Sequence, residues 1–272
     1  MNFHDKIKLS DENFIPTFGF GCWNAYGDEI KNAVACALNE QYRYIDSASR
    51  YNNEVEVGLG IRDSGVLRDE IFILSKLWPL DFDKPQVALE KSLFDLNCDY
   101  LDCYLLHWPG SDDDIRSRAI DSILPLQGTL YKTFGVSNFQ IEHLKKFKDE
   151  FGFYPAVNQI ELHPFYQERE LTSFCKDNNI ALIAWGPLYR ARGMESDVIQ
   201  ELSRKYSKTP AQILLRWQLQ KGHIPIPKSK DPQRIKENRC VFDFDLSNDD
   251  MHRLDSLDSN LHIGADPYTF NG

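Results

Sequence analysis

Short apolar runs recur along the chain, and between them apolar residues return at every third or fourth position, the spacing of one helix face. Residues 6–21, KIKLSDENFIPTFGFG, read as a hairpin leading into a first buried strand near 17–21. Asp28 is placed to cap a helix whose positions Ile30, Ala33, Val34, Ala37 and Leu38 fall at helical spacing. Further strands are expected at 43–46, 71–76, 100–107, 133–137, 156–160, 180–185 and 223–227. Helices are expected at 54–63, at 84–97 with Val87, Leu93 and Leu96 as apolar positions, at about 114–126, and at 140–150, 167–178, 195–206 and 248–257. One helix start is unusually legible. Thr209-Pro210-Ala211-Gln212 combines a threonine cap, proline in the first turn and glutamine at the third position, a capping box. Gly222 stands where a left-handed cap would end that helix.

Eight short strands alternating with helices predict a parallel sheet covered by helices. At 272 residues a closed (β/α)8 TIM barrel with an N-terminal β-hairpin fits better than an open doubly wound sheet. No GxGxxG follows the first strand, as an open dinucleotide-binding sheet would usually require. Nothing resembling a linker divides the chain, so residues 1–272 are expected to form one domain.

Composition narrows the function classes. A net charge of −10 argues against a nucleic-acid or anionic-membrane surface. No apolar run of signal-peptide length opens the chain, and none reaches the roughly 18 residues needed to span a bilayer. The six cysteines include no CxxC pair, which predicts reduced thiols in a cytoplasmic protein rather than a disulfide framework.

Three predicted strands end in titratable residues: Asp46, Lys76 and His107. Tyr51 follows the first of these by five residues. In a barrel of this kind the active site lies at the carboxyl ends of the strands. Each residue alone has an ordinary explanation as a loop charge or a packing aromatic. Together they make a proton-transfer set. A tyrosine of ordinary pKa near 10 is a poor acid at neutral pH, and a neighbouring ammonium is expected to lower it. Asp46 would keep that ammonium, Lys76, charged and in place, and His107 would donate to a carbonyl oxygen. The set lacks a nucleophile, so carbonyl reduction or the reverse alcohol oxidation fits better than hydrolysis.

The segments DSASRY, LSKLW, LLHWP, GVSNF, VNQIELHP, AWGPL and IPIPKSKDPQRIKEN, in this order, resemble the aldo-keto reductases. The likeness runs from about residue 14 to 271, and it is nearest to the microbial 2,5-diketo-D-gluconate reductase-like and prostaglandin F synthase-like members, whose endings are similar to GADPYTFNG. The resemblance implies an NADP(H)-dependent, monomeric reductase acting on small carbonyl compounds, with Tyr51 as proton donor, Lys76 and Asp46 tuning it, and His107 orienting the carbonyl. It further implies that Ser137, Asn138 and Gln159 hold the nicotinamide carboxamide and that Trp185 stacks on the ring, with Gly186 and Leu188 beside the cofactor. Lys228, Ser229 and Arg234 would clamp the 2′-phosphate, with Glu237 and Asn238 on the adenine side.

Charge counting supports the clamp independently. Residues 228–239 carry five basic and two acidic side chains, a local +3 in a chain of −10. The helix start after Asp231-Pro232 would add backbone donors for a phosphate. Candidate pocket walls are Trp23, Trp78 and Trp108, together with the tail residues Tyr268 and Phe270, whereas Trp217 reads as helix core. Arg190 and Arg192 could face the cofactor pyrophosphate, an acidic substrate or solvent. Pro125 leaves the packing of the helix around it in doubt.

Two other readings compete. A metal-dependent hydrolase could use His107, Asp46, Glu161 and His163, although Lys76 among them would repel a cation; no metal is expected. A cofactor-binding barrel with little turnover, serving as a sensor or partner subunit, is the alternative from a different class.

Overall fold

Two short strands, β1 (Lys6–Lys8) and β2 (Phe14–Pro16), pair antiparallel with Ile7 opposite Ile15. The computed structural model describes residues 2–272, and in it this hairpin precedes a barrel of eight parallel strands. The barrel strands are β3 (Phe20–Gly21), β4 (Tyr44–Asp46), β5 (Phe72–Leu77), β6 (Leu101–Leu106), β7 (Tyr131–Ser137), β8 (Val157–Glu161), β9 (Ala181–Trp185) and β10 (Ile224–Pro225), each beside its sequence neighbours. The ends of the sheet meet: Gly19 N–H donates to Pro225 O at 3.0 Å and Gly21 N–H to Pro227 O at 3.1 Å. The barrel is closed, so its two end strands meet each other rather than presenting open edges.

Side chains alternate between the two sides of each strand. Tyr44, Phe72, Leu74, Cys103, Leu105, Val157, Ile183, Ile224 and Ile226 meet in one buried cluster inside the barrel, and Leu9 and Ile15 of the hairpin region close its base. The opposite faces of the strands carry Ile45, Ile73, Leu77, Tyr104, Leu106, Val136, Ile160, Leu182 and Ala184, which pack with helix residues such as Val34, Leu93, Ile120 and Leu144. Both faces are therefore apolar over most of their length, as parallel strands sandwiched by helices require.

The surrounding helices are α1 (Gly27–Asn39), α2 (Glu54–Ser64), α3 (Pro85–Leu96), α4 (Asp113–Ile123), α5 (Ile141–Phe151), α6 (Arg169–Asp177), α7 (Asp197–Tyr206), α8 (Pro210–Gln220), α9 (Pro232–Arg239) and α10 (Asn248–Asp255). The capping box at Thr209 and Gln212 forms as expected, and Gly222 has φ of +82° just past α8. Trp217 is core, as expected. It is fully buried, and its indole N–H donates to Asp255 Oδ1 at 2.8 Å.

Three local expectations are corrected. Asp28 does not cap α1; the cap position is Tyr26, and Asp28 lies in the first turn, where its charge still suits the helix dipole. Val87 faces solvent at 61% exposure, so α3 packs through Leu89, Leu93 and Leu96 instead. The helix expected to reach residue 126 stops at Ile123. Pro125 lies in a separate 3-10 turn, Leu124–Leu126, because a proline cannot donate to the preceding turn. Among the described residues no helix is long and apolar enough to cross a membrane.

Candidate active site

Two residues further along the strands that line the apolar barrel interior stand Asp46, Lys76, His107, Gln159 and Trp185. The same alternation that buries Tyr44, Leu74, Leu105, Val157 and Ile183 thus turns these five inward at the carboxyl end. Lys76 Nζ sits 2.5 Å from Asp46 Oδ1, donates to Ser47 O at 2.7 Å and lies 3.3 Å from the Tyr51 hydroxyl. Lys76 and Asp46 are almost completely shielded from solvent. Tyr51 reaches them because a 3-10 turn, Ser49–Tyr51, follows β4 directly, and Ser49 Oγ ties it to Lys76 O at 3.0 Å. The Tyr51 and His107 rings are 5.6 Å apart, centroid to centroid, at 75°. The four residues predicted as a proton-transfer set are in one place.

Their electrostatics differ from the expectation in one respect. Burial works against the charge on Lys76, but Asp46 and then Tyr51 more than offset it and raise its pKa above the ordinary lysine value. For Tyr51 the balance goes the other way. Burial raises the phenol's pKa, the Lys76 ammonium pulls it back only in part, and the net shift is upward rather than downward. Tyr51 therefore holds its proton at neutral pH, as an acid must before it acts. His107 is pushed well below the ordinary histidine range by burial, then by the positive charges of Lys76 and Arg50, so it is neutral. Its Nδ1 is buried without a partner. A bare lone pair there costs less than an orphaned N–H, which places the ring proton on Nε2, free to donate.

A second network leads away from the tetrad. Gln159 donates from Nε2 to Asp46 Oδ2 at 2.6 Å, and Tyr44 donates to the same oxygen at 2.8 Å. Ser137 Oγ donates to Gln159 O at 2.8 Å. Asn138, held at φ of +61°, donates from Nδ2 to His107 O and to Ser137 Oγ, and accepts from Trp185 Nε1 at 2.9 Å. Ser137, Asn138, Gln159 and Trp185 are thus brought together beside the tetrad. Gly186 has φ of +64°, which lets the chain turn sharply after Trp185, and Leu188 packs into the helix layer.

The basic cluster lies after β10. Lys228 and Arg234 form no ion pair among the described residues, whereas Lys230 pairs with Glu29 at 2.6 Å. Partial burial and then Lys230 lower the pKa of Lys228, so an anion there would relieve an excess of positive charge. This fits a phosphate held by Lys228, Ser229 and Arg234. The helix start does not contribute as expected. Asp231 Oδ1 already accepts the backbone N–H groups of Gln233 and Arg234, at 2.8 and 3.4 Å. Glu237 is held by Gln233 Nε2 at 2.9 Å, and Asn238 is buried on the inner side of α9.

The chain's last residues close the mouth of the barrel. Trp78 touches His107, with ring centroids 5.0 Å apart, and Phe270 lies against both Trp78 and Trp108 at 5.7 and 4.5 Å. Tyr268 packs instead on His143 of α5. Trp23 is half exposed, and Arg190 lies over its ring at 4.4 Å, which gives that arginine a partner in the structure. Glu161 was a candidate metal ligand with His163. Instead its carboxylate accepts the Ile263 and Gly264 N–H groups, each at 2.8 Å, while His163 Nε2 lies 2.9 Å from Oε1. It ties down the tail. Gly264 must lack a side chain, since a Cβ would come within 2.7 Å of the Trp185 ring. Sequence reading missed Tyr44 and the tail-holding role of Glu161. The spacing of two between Tyr44 and Asp46 was the available sign for the first, because it puts both side chains on one face of a strand.

Comparison with known proteins gives a consistent picture. A family model described as "Aldo/keto reductase family" matches residues 17–259. Methylglyoxal reductase DkgA of Escherichia coli K12 is 43% identical over 269 residues, covering 98% of each chain. Glyoxal reductase of Bacillus subtilis 168 is 41% identical over 267 residues, 97% of this chain and 96% of that one. Among solved structures, an aldo/keto reductase from Brucella melitensis superposes with a TM-score of 0.90 at 41% identity, over 93% of this chain and 99% of the other. A mutant of Gox0644 in complex with NADPH gives a TM-score of 0.93 at 38% identity, over 98% of each chain.

Proposed function

Because the chain belongs to the aldo-keto reductase family, it is an NADP(H)-dependent carbonyl reductase, and we propose that Tyr51 is the acid that protonates the carbonyl oxygen. The observation that carries this reading is the buried contact chain from Asp46 through Lys76 to the Tyr51 hydroxyl, at 2.5 and 3.3 Å.

When bound, the reduced nicotinamide supplies a hydride to the carbonyl carbon. The protein's part is to place the carbonyl oxygen and deliver a proton to it. His107, neutral and carrying its proton on Nε2, donates to that oxygen and fixes its direction. As negative charge builds on the oxygen, Tyr51 Oη gives up its proton. The phenolate left behind is stabilised by the adjacent Lys76 ammonium, which Asp46 keeps charged. That stabilisation grows only as the proton leaves, so it favours the transition state over the bound substrate. Ser137, Asn138 and Gln159 would hold the carboxamide, Trp185 would stack on the ring with Gly186 and Leu188 alongside, and Lys228, Ser229 and Arg234 would grip the 2′-phosphate near Glu237 and Asn238.

The substrates of the named relatives support small 2-oxoaldehydes as the substrate class, within a pocket walled by Trp23, Trp78 and Trp108. The chain is read as a single-domain enzyme acting as a monomer in the cytoplasm. Support for the cytoplasmic part of this reading comes from the six free cysteines. The test is NADPH oxidation with methylglyoxal by the wild type and Tyr51→Phe. Loss of several orders of magnitude in kcat, with NADPH binding retained, is expected. A fully active Tyr51→Phe enzyme would show that the acid is another group.

A further inference from the structure

Arg50 immediately precedes the proposed acid, yet the mechanism above gives it no task. In a chain with 41 acidic residues it makes no ion pair among the described residues. Its guanidinium lies over the Trp78 ring, 5.2 Å from the centroid. The same indole is 5.0 Å from the His107 ring and 5.7 Å from Phe270. Arg50 therefore stands at the lip of the carbonyl site, one aromatic ring away from the group that orients the carbonyl.

We propose that Arg50 forms an anion subsite that selects carbonyl compounds bearing a carboxylate, that is, aldehydo and keto acids. The proposal rests on the reductase reading and adds a charged substrate class beside the neutral 2-oxoaldehydes. With the carbonyl oxygen on His107, a carboxylate a few bonds away would run along the Trp78 ring to the guanidinium. The planar fork of an arginine matches a carboxylate with two parallel hydrogen bonds. Stacking on Trp78 holds that fork in place beforehand, so less side-chain freedom is lost on binding. Arg50 is close enough to His107 for its positive charge to act on that ring, as Lys76 does.

The experiment compares two substrates of one shape, 4-carboxybenzaldehyde and its neutral methyl ester, with wild type, Arg50→Gln and Arg50→Lys. In the wild type kcat/KM should favour the acid, and raising the salt from about 20 to 200 mM should shrink the preference through screening. Arg50→Gln should lower kcat/KM for the acid at least tenfold, about 1.4 kcal/mol, chiefly through KM, and leave the ester within twofold. Arg50→Lys should recover part of the loss, since it keeps the charge without the fork. Equal losses for acid and ester would mean that Arg50 only supports Trp78 or Tyr51, and would overturn the subsite while leaving the reductase intact. Failure of the wild type to reduce either compound with NADPH would instead bring down the reductase reading, and the subsite with it.

Discussion

The Tyr44 hydroxyl donates to Asp46 Oδ2 at 2.8 Å, from beneath the site and out of contact with solvent. Asp46 thus has its two oxygens divided. Oδ1 faces the Lys76 ammonium, and Oδ2 accepts hydrogen bonds from Tyr44 and Gln159. Burial and the Asp46 charge hold the Tyr44 phenol well above its ordinary pKa, so it remains a neutral donor. Gln159 links the same carboxylate to the residues expected to hold the nicotinamide.

Tyr44→Phe should shift the pH profile without unfolding the protein. Its ring packs edge-on against Phe72, and phenylalanine keeps that contact. Without the hydroxyl, less of the Asp46 charge is neutralised, and that charge already raises the Tyr51 pKa. The alkaline limb of kcat/KM should move upward by roughly half a unit to one unit, each unit being about 1.4 kcal/mol. An enzyme slowed equally at every pH, with its limb unmoved, would give Tyr44 a packing role only.

Arg234→Ala should separate the two nicotinamide cofactors. Only NADPH carries a 2′-phosphate, and Lys228 and Arg234 form no ion pair among the described residues, unlike Lys230 and Arg239. The Kd for NADPH should rise at least tenfold, in line with loss of a charge-assisted hydrogen bond of about 1.5–3 kcal/mol. That for NADH should stay within about twofold, as fluorescence titration would reveal. Equal weakening of both would remove the arginine from the clamp.

Glu161→Ala should loosen the tail. The carboxylate holds the backbone of Ile263 and Gly264, and the tail beyond carries Phe270 to Trp78 and Trp108. KM for the aldehyde should rise severalfold while NADPH binding is kept, and proteolysis within residues 261–272 should quicken. If the tail is cut no faster than in the wild type, its anchor lies elsewhere.

A histidine makes stability depend on acid. Gln140 N–H donates to His143 Nδ1 at 3.1 Å in the capping box of α5, which requires an unprotonated ring nitrogen. Burial, then Arg116, lowers the His143 pKa to about 4, with Asp113 opposing and Lys146 assisting. A depressed histidine contributes stability that is present above its unfolded value of about 6.5 and lost as pH falls through the folded one. His143→Gln retains an acceptor but cannot titrate. Its unfolding midpoint should therefore fall less steeply than that of the wild type between pH 6.5 and 4. Parallel curves in denaturant titrations would rule the cap out as the cause.

Asp46, Lys76 and His107 were legible as candidates because each ends an apolar run, and in a parallel barrel the site lies at the carboxyl ends of the strands. Tyr51 was legible through its distance from Asp46 and the motif around it. The direction of the Tyr51 pKa was not. It depends on how deeply the phenol is buried against how near the ammonium comes, and neither quantity is written in residue order. Val87 failed for a related reason: helical spacing defines a stripe but not its width.

By itself the sequence determined the alternation of strands and helices, and hence a barrel, since local periodicity and caps act over a few residues. It also put titratable residues at the ends of three strands. Only the tertiary structure decided which side of each strand faces the barrel interior. It thereby placed Tyr44 and Gln159 on one oxygen of Asp46, although Gln159 lies 113 residues away along the chain. It also brought Phe270 to Trp78 and aimed Arg50 along the same indole. The Gln159 contact arises from closure of the sheet, which brings residues from distant strands within hydrogen-bond reach. No local pattern encodes it.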